Sequence, residues 1–126
     1  METPAATSDQ MNTLITIGDQ LWFESSFQGG TLNFRTGEGP DSLHFQVGIS
    51  YASLAECYGR MSAHLIQWTI RDCSLSLYGD QEELRLHFNS IDRPDLRADH
   101  ILRGRELRAF RYALHALASR DAALIN

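Results

Sequence analysis

Seven of the eleven basic residues in this 126-residue chain fall within its last 34 positions, and all eleven are arginine. Guanidinium groups form bidentate and stacking contacts with carboxylates and phosphates that a lysine ammonium cannot. Arg93, Arg97, Arg103, Arg105, Arg108, Arg111 and Arg120 stand against four acids, Asp95, Asp99, Glu106 and Asp121, a local balance of +3. The first 92 residues hold four arginines against twelve acids, a balance of −8. The chemistry this pattern suits is recognition of anions, carboxylates above all, and not the making or breaking of bonds.

The residue types that make bonds are present but not in working arrangements. Five histidines are scattered at 44, 64, 87, 100 and 115, and no Cys or His stands at ligand spacing from any of them. His44 and His87 alternate with apolar neighbours, so each belongs on the polar side of a strand. Cys57 lies within an amphipathic helical pattern, away from the helix N-terminus where a thiolate would be stabilised. There is no nucleophile elbow, Walker loop or dinucleotide fingerprint. Gly37-Glu38-Gly39 carries an acid where a phosphate cradle needs a base, and Glu82-Glu83 is an acid pair in a turn, normally solvated. The chain is therefore expected not to be an enzyme and to hold no cofactor and no metal.

The elements that position these residues follow from hydrophobic period. Leu14, Ile17 and Leu21 recur at helical spacing, while Leu21 and Phe23 alternate with Trp22 and Glu24. Gly18 weakens a continuous helix, so a short helix or extended piece is expected first and a strand near Leu21–Glu24 second. A turn at Gln28-Gly29-Gly30 leads to a strand with Leu32 and Phe34 on one face, and a loop over 36–41 leads to another with Leu43, Phe45 and Val47 inward. Leu54, Tyr58, Met61, Leu65 and Trp68 then mark a helix, capped by Ser53 or Ser50. Its end is open, because Trp68-Thr69-Ile70 has extended character. Gly59 inside it implies close packing on the sheet. Cys73, Leu75 and Leu77 followed by Leu84, Leu86 and Phe88 form a hairpin about Gly79–Glu82.

The last helical region opens at Asp92-Arg93-Pro94-Asp95, with Asp92 as N-cap. Leu107, Phe110, Leu114, Leu117 and Leu124 form its apolar stripe. Arg103 would fall on that stripe, so a break belongs at Gly104, with a short helix before it and the main helix after. Arg105, Arg108, Tyr112 and His115 then share the polar side. No internal repeat is visible. The sum is an α+β fold: an antiparallel sheet with one face packed by helices and a long amphipathic C-terminal helix. Residues 1–10 read as a disordered lead-in and 11–126 as a single domain.

Composition narrows the functional classes. A net charge of −5 disfavours nucleic acid as a general partner. No apolar run approaches the ~20 residues of a membrane helix, and the N-terminus lacks the basic and apolar regions of a secretory signal. Two cysteines, Cys57 and Cys73, suit free thiols in a reducing cytoplasm. Trp22 has opposite parity to Leu21 and Phe23, so it faces outward if those two face the core.

In element order, size and acidic balance, residues 11–124 resemble the small class I chaperones of bacterial type III secretion and the related regulators of Hrp-type systems. The resemblance implies a cytoplasmic, bacterial, non-catalytic protein, dimeric in form, that binds a segment of a secreted or regulatory protein partner. An extended segment adding to a sheet edge or laying side chains into apolar pockets would use Trp22, Phe23, Leu32 and Phe34. The helical arginine face adds Arg105, Arg108 and Tyr112 as partner-binding residues, its plain alternative being a solvated helix face. Two other functions fit the same residues. One is a small-ligand binding protein or enzyme with a cleft between sheet and C-terminal helix, lined by Arg108, Tyr112 and His115. The other is a nucleic-acid-binding accessory using the arginine helix.

Overall fold

The computed structural model describes residues 14–37, 40, 42–70, 75–90, 93 and 95–125, with the side chains of all of these except 26 and 120–125. The expected lead-in, Cys73, the proposed Asp92 cap with Pro94, and the side chain of Leu124 lie outside the described residues. Among the described residues eight strands and two helices follow in the order β1 (Leu14–Thr16), β2 (Leu21–Ser26), β3 (Gly29–Thr36), β4 (Leu43–Ser50), α1 (Tyr51–Arg60), β5 (Ile66–Thr69), β6 (Leu75–Gly79), β7 (Glu83–Asn89), β8 (Arg97–Arg103) and α2 (Gly104–Ile125). The strands form two antiparallel four-stranded meanders, β1-β2-β3-β4 and β5-β6-β7-β8. The fold is α+β, with both helices packed on the apolar side of the first sheet and α2 also against the second.

Each apolar period finds its place. In β4, Phe45, Val47 and Ile49 are buried while His44, Gln46, Gly48 and Ser50 are exposed. β6 and β7 repeat the rule with Leu75, Leu77, Leu84, Leu86 and Phe88 inside. A one-residue slip in any of these registers would turn the whole set to solvent. On α2, Leu107, Phe110, Leu114 and Leu117 face the core, and Phe110 stacks on Phe23 with ring centroids 5.9 Å apart. The two sheets meet where Phe34 stacks on Phe88 at 5.0 Å.

The first segment, left open between a short helix and an extended piece, is a strand: Gly18 sits in the β1–β2 turn, where the amides of Ile17 and Gly18 both donate to the Leu21 carbonyl. Three expectations are corrected. The middle helix stops at Arg60, so Leu65 lies off it and Trp68 is in β5; of the two possible caps Ser50 is used, accepting from the Ser53 amide at 3.2 Å. Gly59 is exposed with open space where a Cβ would stand, so it does not mark close packing. Residues 97–103 are the strand β8 and not a short helix. The break at Gly104 is as expected: its φ of +52° is a left-handed turn from strand into helix, and Arg103 therefore leaves the helical stripe.

The element order reveals a repeat that the sequence conceals. Each half is a four-stranded meander followed by a helix. The pairing Leu21↔Phe34 in β2–β3 recurs 54 residues later as Leu75↔Phe88. The β4–α1 segment recurs 53 residues later, so that buried Leu54, Cys57 and Met61 correspond to buried Leu107, Phe110 and Leu114. Equivalent residues of the halves meet: Phe34 with Phe88, and α1 against α2.

Candidate protein-binding surface

Spacings of three and four residues put Arg105, Arg108, Tyr112, His115 and Ser119 in one row on α2. All five are exposed, and Tyr112 keeps 69 % of its surface in solvent. The buried stripe on the opposite side fixes this row outward. Tyr58 of α1 joins it, its ring 5.1 Å from that of His115. Arg111 lies on the flank, half-buried, and donates through Nη2 to the Met61 carbonyl at 3.3 Å. Met61 is the C-cap of α1, where a cation offsets the negative helix end.

Among the described residues the row gathers unpaired guanidiniums on one helix. Elsewhere two arginines are paired, Arg60 with Glu56 at 3.1 Å and Arg103 with Glu83 at 2.8 Å, and two histidines meet acids, His87 with Asp99 at 2.6 Å and His100 with Glu106 at 3.0 Å, while Arg85, Arg93 and Arg97 have no carboxylate at ion-pair distance among the described residues. Glu106, the acid in the first turn of α2, is thereby drawn off to β8. Among the described residues no carboxylate lies within ion-pair distance of Arg105, Arg108 or Arg111. Two adjoining recesses of about 340 and 290 Å³ run beside the row and share Gln81 and Arg111, with Tyr58 and Met61 in one and Leu107 and Arg108 in the other.

A second polar cluster lies on the outer face of the first sheet. Trp22 points away from the core, as its parity predicts, and its Nε1 donates to Glu24 Oε1 at 3.2 Å. The Arg35 guanidinium sits 5.7 Å from the Trp22 ring centre, and the His44 ring 5.5 Å from it. At the hub is Asn33, which has no exposed surface. Its Nδ2 donates to Glu24 Oε1 and the Thr31 carbonyl, while its Oδ1 meets His44 Nε2 at 2.9 Å and Gln46 Nε2 at 3.1 Å. Every polar position of the amide is engaged, which makes this a closed structural network. Asn33 is absent from the sequence-based site; its signal is an uncharged amide on the polar side of a central strand.

No protein-family model, curated protein or solved structure matches the chain.

The remaining candidates divide clearly. Trp22, Arg105, Arg108 and Tyr112 are on the surface, in two separate places. Phe23, Leu32 and Phe34 are not: they are 0, 0 and 3 % exposed, on the face of β2 and β3 that α2 and the second sheet cover. Their expected place in a partner-binding surface is corrected, because they are core. Arg108, Tyr112 and His115 are exposed instead of turned inward, which removes the lining a cleft between sheet and helix would need.

The Cys57 thiol is pushed up to about 12, first by burial, then by Glu56, with Arg60 opposing, so it is not a nucleophile at neutral pH. Ser76, His87 and Asp99 stand in one cross-strand row, brought together by strand pairing that no local pattern in the sequence encodes. The Ser76 hydroxyl accepts from Thr69, however, and the row lies on an open sheet face whose amides serve the ladder, leaving no donors for an oxyanion. Among the described residues no three metal-ligating side chains converge, and no helix is long and apolar enough to cross a membrane.

Proposed function

We propose that this chain is a non-catalytic binding protein that holds an acidic segment of a protein partner against the outer face of α2. One observation carries the reading. Arg105, Arg108 and Arg111 follow one another at three-residue spacing on α2, none with a carboxylate at ion-pair distance among the described residues, although Glu82 lines the recess beside Arg108 and Arg111. Tyrosine and arginine are the residue types that concentrate binding energy at protein interfaces, and Tyr58 and Tyr112 flank the guanidiniums. The neighbouring recesses supply concave surface for apolar side chains of the same segment.

The more specific form of this proposal is a bacterial cytoplasmic secretion chaperone or secretion regulator. Its support is the size, the acidic balance and the helix-covered antiparallel sheet. The element order supports it less than the sequence suggested, since β1 and β8 replace the two helical pieces.

The experiment is photo-cross-linking from a benzophenone amino acid at position 112 in the native host. It is paired with quantitative co-purification of wild type and an Arg105→Glu, Arg108→Glu double variant. The cross-linked peptide is expected to be rich in Asp and Glu, and the charge reversal to weaken capture by about tenfold or more. Capture unchanged by the reversal, or nucleic acid at the cross-link, overturns the proposal.

A further inference from the structure

The open edges of the two sheets are unequal. A sheet edge presents unpaired N–H and C=O groups, and proteins that remain apart blunt their edges with short strands or charged residues. β1 is three residues long and β5 four. β8 is long but carries Arg97, Asp99 and Arg103. β4 is eight residues long, has β3 as its only partner among the described strands, and contains no Asp, Glu, Lys, Arg or Pro. None of the turn, loop or cap backbone bonds among the described residues reaches it, and the one side-chain bond to its backbone comes from Thr36, on the β3 side.

We propose that two copies of the chain pair antiparallel along β4, joining their first sheets into one eight-stranded sheet about a two-fold axis at Gln46. The argument is self-complementarity. Antiparallel neighbours must show the same face, so an axis at Gln46 sets Leu43 opposite Ile49 and Phe45 opposite Val47 of the second copy, all apolar. On the outer face it sets His44 opposite Gly48. Gly48 is exposed, has ordinary backbone and has nothing within 4 Å of a Cβ position, so the larger imidazole meets an open place. That place borders a recess of about 370 Å³ formed with Gln28, Thr31 and Ser50. No charge meets a like charge at any paired position, whereas self-pairing of β8 would bury Arg97, Asp99 and Arg103 along the seam. The α2 face takes no part, so this pairing stands or falls separately from partner binding.

Sedimentation velocity over a dilution series tests it. Wild type is expected at twice the 14.2 kDa chain mass, dissociating on dilution. Gln46→Lys sets two ammonium groups face to face at the axis and is expected to raise the dissociation constant about tenfold or more. An equimolar mixture of Gln46→Lys and Gln46→Glu restores the dimer, which also shows that the variants fold. Arg108→Glu leaves the dimer intact. A monomeric wild type at every concentration, with the edge left to a strand of another protein, overturns the proposal. So does a dimer indifferent to Gln46→Lys.

Discussion

Asn33 lies on the solvent side of β3 and yet has no solvent, because Trp22, Glu24, His44 and Gln46 close over it. Replacement by Leu keeps much of the volume but removes these hydrogen bonds from side-chain partners that are exposed and can turn to water, a loss on the scale of a net protein hydrogen bond, about 0.5–1.5 kcal/mol. Asn33→Leu is therefore expected to lower the unfolding free energy by about that amount in urea titrations. A change below half a kilocalorie would mean the network is replaced by water without loss. Cys57 gives a prediction of opposite character, tied to pH. Its folded thiol is held up to about 12 against an ordinary 9.0, so the unfolded chain loses the proton first as pH rises. The contribution to stability is complete below about pH 9 and declines between about 9 and 12. A Cys73→Ser chain should react with a disulfide reagent at pH 8 only at the rate of unfolding, and Cys57→Ala should flatten the alkaline loss of stability. Rapid labelling of the folded Cys73→Ser chain would contradict the first, and an alkaline loss unchanged in Cys57→Ala the second.

Elements were legible where one face is uniformly apolar, and obscure where a polar side chain occupies a core position. β4, β6 and β7 keep their aliphatic and Phe residues on one side throughout, and β2 does so over Leu21–Glu24, with Trp22 outward and Ser25 buried on its inner side. β8 has Ala98, His100 and Leu102 on its inner side, and a histidine there breaks the period. The structure tolerates it because His100 Nε2 meets Glu106 and its ring packs on Phe34 at 5.1 Å, contacts that no local pattern encodes. The same carboxylate lies over Gly18, where a Cβ would approach it closely, so the glycine that suggested a broken helix marks a tertiary contact instead. Met61, Leu65 and Trp68 mimicked helical spacing past the true end of α1, since no Pro or Gly follows Arg60 to stop the pattern. Parity explains the mixed result at the candidate site. It separates Trp22 from Phe23 correctly, but it does not say which face meets the protein's own helices. Gly104 carries the junction that the helical projection of Arg103 did find. A left-handed backbone costs an L-residue about 1–2 kcal/mol, so Gly104→Ala should lower stability by that much although its Cβ would meet open space. Gly104→Asn should recover part of the loss, and equal stabilities by chemical denaturation would refute the assignment.

At the scale of the whole molecule, the repeat of meander and helix poses the question of whether the halves are independent. Their packing says they are not. The Phe34–Phe88 stack joins the sheets, and Phe110 of the second half stacks on Phe23 of the first. The two helices also pack against each other. The Trp68 indole donates to Glu56 of α1 at 3.0 Å, so a reporter in the second sheet is tied to a helix of the first half. A half chain of roughly 60 residues is marginal as a folding unit in any case. The repeat is hidden in sequence because packing conserves apolar positions and leaves the outer faces free to diverge: Trp22 corresponds to Ser76, and Asn33 to His87. This divergence also supplies the experiment, since the two tryptophans fall one in each sheet. Trp68→Phe leaves Trp22 to report the first half, and Trp22→Phe leaves Trp68 to report the second. Each variant should show the same urea midpoint by fluorescence as by circular dichroism, because separating either half exposes the shared aromatic core. A fluorescence midpoint displaced from the dichroism midpoint in either variant would show that one meander unfolds while the other stands, and that the shared stack is too weak to couple them.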